Sequence, residues 1–60
     1  MDLEETYNLV KTEFKKLSEI YEGALIELVG QRGLNQLLDN GLLEDVGLYH
    51  GRQMYVLIKK

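Results

Sequence analysis

The sequence predicts an α+β fold in the order ααββ: one long N-terminal helix, one short helix and a C-terminal β-hairpin. Three observations predict it. Apolar residues recur at spacings of four and three from Leu3 to Leu28. A short leucine-bearing stretch ends at Asn40-Gly41, and His50-Gly51 divides two runs rich in valine, leucine and tyrosine.

The first helix is expected over 2–29. Its seam is Leu3, Tyr7, Val10, Phe14, Leu17, Tyr21, Ala24 and Leu28, and the stretch holds no proline. Asp2 is placed as an N-cap, with Glu5 completing an Asp version of the capping box. Ile20, Leu25, Ile26 and Val29 widen the apolar stripe in the second half, so the rest of the chain is expected to pack there. A helix of this length reaches roughly 40 Å. A compact domain of sixty residues has a radius of gyration of about 10 Å. The N-terminal turns are therefore expected to overhang and to offer Leu3, Tyr7, Val10 and Phe14 to a second copy of the chain. A homodimer also suits the size, because so short a chain buries a marginal core and has no cysteine to staple it.

Gly30 is expected to end the first helix in a left-handed conformation. After a short link, Leu34, Leu37 and Leu38 share one face of a helix over 33–39, stopped by Asn40-Gly41. The hairpin is expected over 43–58, with His50-Gly51 as a two-residue turn of positive φ. That register pairs Tyr49 with Arg52, Val46 with Tyr55 and Leu43 with Ile58. It puts Leu43, Tyr49, Met54, Val56 and Ile58 on one face, and Val46, Leu48, Tyr55 and Leu57 on the other. One apolar face can cover the chain's own helices. The other calls for a partner.

The net charge is −3, divided as −4 over 1–29 and +1 over 30–60. An acidic chain gains no general attraction to nucleic acid or anionic membranes. Glu27 interrupts the richest apolar run, so neither a transmembrane span nor a signal peptide is expected. The lack of cysteine is compatible with a reducing compartment, and a cytoplasmic location is expected.

The residues that carry chemistry are sparse. His50 is the only histidine, and Ser18 the only serine lies mid-helix, so no pattern joins a base to a nucleophile. His50 reads as a turn residue. The glutamates of the first helix are dispersed among Lys11, Lys15 and Lys16 as a solvated, partly paired face. No catalytic residue, metal ligand or cofactor is expected.

Two stretches resemble known nucleic-acid binders. Gly30-Gln31-Arg32-Gly33, set between two helices, is similar to the GxxG loop of KH domains, which clamps a single-stranded backbone. Leu37-Leu38-Asp39-Asn40-Gly41-Leu42-Leu43-Glu44, followed by Gly51-Arg52-Gln53-Met54-Tyr55-Val56-Leu57, resembles the end of the recognition helix and the wing of winged-helix DNA-binding domains. That resemblance covers the last third to half of the chain. It implies that Arg32, Asn35 and Gln36 face a major groove and that His50 and Arg52 lie near phosphates. No full helix-turn-helix stands ahead of the wing. The expected function is a small non-enzymatic protein-interaction or regulatory module acting as a dimer. The alternative is a minimal winged-helix-like or KH-like nucleic-acid-binding regulator.

Overall fold

A computed structural model describes residues 2–58. The described residues form an α+β fold of two helices and a three-stranded antiparallel sheet. The order is α1 (Leu3–Glu13), β1 (Ile20–Tyr21), α2 (Glu22–Asp39), β2 (Leu43–Tyr49) and β3 (Arg52–Leu57). The strand order is β1-β3-β2.

Helix α1 begins as expected: the Asp2 carboxylate accepts the Glu5 backbone N–H at 2.8 Å, and Glu4 and Glu5 sit in the first turn. It does not run to Val29. It ends at Phe14, with Lys11 in its last turn and Lys15 and Lys16 just beyond. Cations there complement the negative end of the helix dipole, a stop signal that needs no glycine or proline. The molecule measures 31 × 22 × 19 Å. An unbroken helix of 28 residues, about 42 Å long, exceeds its longest dimension.

The chain folds back instead, and the fold-back creates a strand. Ile20 pairs with Tyr55 and Tyr21 with Met54. This third strand is the correction to the expected ααββ hairpin. β1 is too short to show a period of its own, and Tyr21 fits the heptad seam while Ile20 fits its widened stripe.

Helix α2 starts at once and is broken at Gly30, whose φ of 76° and ψ of 170° lie outside any helix. That region is essentially reserved to glycine. Segments 22–29 and 31–39 therefore meet at an angle with no loop between them. The expected short link after Gly30 does not exist, because Gln31 and Arg32 are already helical, and Gly33 lies buried inside the second segment. A Cβ on it would stand 2.6 Å from the Val29 Cβ and 3.3 Å from the Thr6 Cγ2. Gly33 thus lets α1 and α2 approach closely. Thr6, 1% exposed, completes the contact by donating its hydroxyl to the Asp2 carbonyl at 2.9 Å and towards Gln36 Oε1 at 3.4 Å. The helix ends at Asn40 in a Schellman motif: Leu42 N–H donates to the Leu37 carbonyl and Gly41 N–H to that of Leu38.

The hairpin turns at His50 and Gly51, with φ of 51° and 77°, and Tyr49 pairs with Arg52 as expected. Further along, the register departs from expectation. Asp45, not Val46, opposes Tyr55, and Leu57, not Ile58, opposes Leu43. The cause is a bulge between Asp45 and Gly47, held where Asp45 Oδ1 accepts the Gly47 N–H at 2.8 Å. The extra residue moves Leu43 onto the face of Tyr55 and Leu57. Leu43 and Tyr55 are buried there and Leu57 packs against them.

The core is Val10, Ile20, Leu25, Val29, Leu34, Leu37, Leu42, Leu43 and Tyr55. Leu3, Tyr7 and Phe14 pack against it. Of the seam expected to meet a second copy, Val10 is 0% exposed and belongs to the chain's own core, while Leu3, Tyr7 and Phe14 are half-buried. Tyr7 ties α1 to the far end of the sheet by donating its hydroxyl to the Ile58 carbonyl at 3.0 Å. Leu17 and Tyr21, expected in the same seam, are 54% and 44% exposed. No helix among the described residues is long and apolar enough to cross a membrane.

Tyr55 gives the core a pH dependence. Burial, the charge of Glu22, a 3.3 Å hydrogen bond to its carboxylate and the charge of Asp45 all raise the Tyr55 hydroxyl above the ordinary 10.0. A group whose pKa is raised in the fold holds its proton more tightly there than in the unfolded chain. Its contribution is complete below the unfolded value of about 10 and is lost as the pH climbs through the folded value. Melting temperatures are expected to fall above about pH 10, with a smaller alkaline fall in Tyr55→Phe.

Candidate functional site

Two surfaces hold the residues singled out in the sequence. The first is a cleft of about 620 Å³ between the start of α1 and the second segment of α2. Arg32, Asn35 and Gln36 line it together with Thr6, Asp39 and Asn40. Arg32, Gln36 and Asp39 recur at helical spacing, so one face of α2 presents them in a row. Arg32 and Asn35 are exposed and Gln36 is half-buried. Part of the lining is already engaged: Asn35 Oδ1 accepts from Gln31 Nε2 at 3.0 Å, and Gln36 Oε1 faces the Thr6 hydroxyl. The charges of Arg32 and Asp39 offset each other, so the cleft has no cationic excess to draw a phosphate chain. Because Gly33 is helical, there is no flexible GxxG loop to clamp a nucleic-acid backbone either.

The second surface lies on the sheet. Side chains alternate along a strand, and cross-strand partners share a face. Ile20, Leu43, Tyr55 and Leu57 therefore point to the helices. Tyr21, Tyr49, Arg52, Met54 and Val56 share the opposite face, with Glu44 beside Val56. The Arg52 guanidinium stands 5.1 Å from the centre of the Tyr21 ring, which fixes both on that side. Tyr49 is 63% exposed, and its ring meets the His50 ring edge-on at 4.3 Å. Met54 and Val56 are half-buried. Beyond the bulge, Leu48 is 72% exposed near the hairpin tip.

His50 and Arg52 thus belong to the hairpin and do not line the cleft that holds Arg32, Asn35 and Gln36. The outer sheet face was half-legible. Tyr49, Met54 and Val56 were expected on one face. Sequence reasoning does not reach Tyr21, which the heptad seam places in a helix, or Glu44, where the expected register is one residue out. The signal for the second error is Gly47, since an isolated glycine in a strand marks a bulge. Among the described residues no cluster of His, Asp and Glu has the size to hold a metal ion. Compared with known protein families, with curated proteins and with solved structures, the chain gives no significant match.

Proposed function

We propose that the chain is a non-enzymatic interaction module of winged-helix-like build, and that the outer face of its sheet is the contact surface. The observation that carries this is the make-up of that face. It gathers Tyr21, Tyr49, Arg52, Met54 and Val56 on the side of the sheet turned away from the core. Tyrosine, arginine and methionine are the residue types enriched where proteins meet, and rigid aromatic anchors carry much of the affinity there. The winged-helix-like part of the reading is supported by the break at Gly30. With α1 and β1 set apart, it leaves two helical segments, 22–29 and 31–39, ahead of the hairpin.

Site-specific photocrosslinking tests the surface. A benzophenone side chain at position 49 is expected to give nuclease-resistant protein adducts that Met54→Lys abolishes. The same group at position 9, on the exposed side of α1, serves as the control. Equal adducts from both positions contradict the proposal.

A second reading, nucleic-acid binding, is favoured by one observation: Arg32, Asn35 and Gln36 line a common cleft on the second segment of α2. It requires a complex with duplex or single-stranded DNA at low salt that weakens with salt and with Arg32→Ala. No complex at low salt removes it.

A further inference from the structure

We infer that the outer sheet face pairs with the same face of a second copy, the two hairpins running antiparallel. This pairing rests on the outer face being the contact surface. Three rows cross that face. Tyr49 and Arg52 form the row at the hairpin tip, Gly47, Met54 and Tyr21 the middle row, and Glu44 and Val56 the row at the base. The charges sit at opposite ends, Arg52 at the tip and Glu44 at the base.

A twofold axis through the middle row, perpendicular to the strands, lays the tip row of each copy over the base row of the other. Each Glu44 carboxylate then meets the Arg52 guanidinium and the Tyr49 hydroxyl of its partner, and symmetry makes the contact twice. The same operation places Met54 and Tyr21 of both copies at the centre. Gly47 presents no side chain beside Met54, and the space above it is open. The interface is therefore apolar at its middle and charge-matched at its ends.

The alternative for a second copy is to add strand to strand along an edge of the sheet; β1 offers only two residues, which leaves the free edge of β2. The bulge between Asp45 and Gly47 opposes it, and the Gly47 N–H is already taken by Asp45. The face is available where the edge is blunted.

The size of the sheet sets the strength. Three strands at about 4.8 Å spacing span roughly 14 Å. With the rows from Glu44 to Tyr49 roughly 17 Å long, the face covers about 240 Å² in plan, short of the roughly 800 Å² per partner of a standard interface. The dimer is expected to exchange rapidly, with a Kd of about 10–100 µM.

Sedimentation equilibrium between about 5 µM and 1 mM, a range that brackets that Kd, is the test, with melting curves to confirm that each variant is folded. The chain is expected to pass from monomer to dimer across this range. Arg52→Glu and Glu44→Arg are each expected to weaken association about tenfold, because symmetry removes both ion pairs at once. Their combination restores it to within about threefold. Glu44 is exposed, so Glu44→Arg keeps the test valid should Arg52→Glu disturb the contact with Tyr21. A monomer at every concentration overturns the pairing, as does self-association indifferent to both single changes or not recovered in the double. The crosslinking at position 49 separates the two readings. Adducts to other proteins from a chain that stays monomeric overturn the second copy and leave the contact surface standing. Loss of both overturns the two together.

Discussion

Val10→Asp is expected to unfold the chain. Val10 is fully buried, in a cluster that includes residues of both segments of α2 and all three strands. An ionised carboxylate placed there loses its hydration and gains no cation, which costs several kcal/mol. A fold of sixty residues has in total about 3–9 kcal/mol. Circular dichroism should show loss of both helix and sheet signal at neutral pH. The neighbouring Leu9→Asp is the matched control. Leu9 is 41% exposed, so the same charge one residue earlier should change stability by no more than about 0.5 kcal/mol. If Val10 instead lay on a free surface of an overhanging helix, both variants would stay folded. The pair of measurements thus decides whether the N-terminal seam belongs to the chain's own core.

Gly30→Ala is the second large effect, and it has the opposite sign from the usual helix rule. Alanine in place of glycine inside a helix ordinarily stabilises by about 1 kcal/mol. At position 30 the backbone has φ 76° and ψ 170°, where a side chain costs about 1–3 kcal/mol. Alanine also favours carrying the helix straight through 22–39, which would pull Leu34 and Leu37 away from Val10 and Tyr55. A loss near 2 kcal/mol lowers the melting temperature of so small a domain by about 8–16 °C. Gly23→Ala supplies the comparison. A Cβ there meets only the Tyr21 ring at 3.6 Å, so that change is expected to be neutral or slightly stabilising. Equal responses at the two positions would mean that α2 is not broken at Gly30.

These two positions show how far the sequence could be read. The N-cap at Asp2, the stop at Asn40-Gly41 and the turn at His50-Gly51 were legible because each rests on local backbone chemistry. The course of the chain from Phe14 to Tyr21 was not. A heptad count cannot tell a helix that continues from one that stops and resumes with its apolar residues in compatible phase. What decided it was tertiary: folding back buries Val10, and lets Ile20 pair with Tyr55, at no cost in breaking residues. Lys11, Lys15 and Lys16 were the local sign of a helix end. Gly30 reads as a helix end, but a glycine that ends a helix and one that only bends it look alike until the residues beyond find their packing. The candidate surface followed the same division. Its hairpin part came from alternation, and its Tyr21 part came only with the third strand.

The functional reading depends on that third strand, since β1 brings Tyr21 beside Met54 and leaves the outer face three strands wide. The most direct measurement is the nuclear Overhauser pattern of residues 14–21 in a labelled chain. Cross-strand contacts between the backbone protons of Ile20 and Tyr55 and of Tyr21 and Met54 are expected, with no run of helical contacts through Lys15 to Glu19. An unbroken series of helical contacts from Leu3 to Val29, and none between Ile20 and Tyr55, would contradict the fold and the surface built on it.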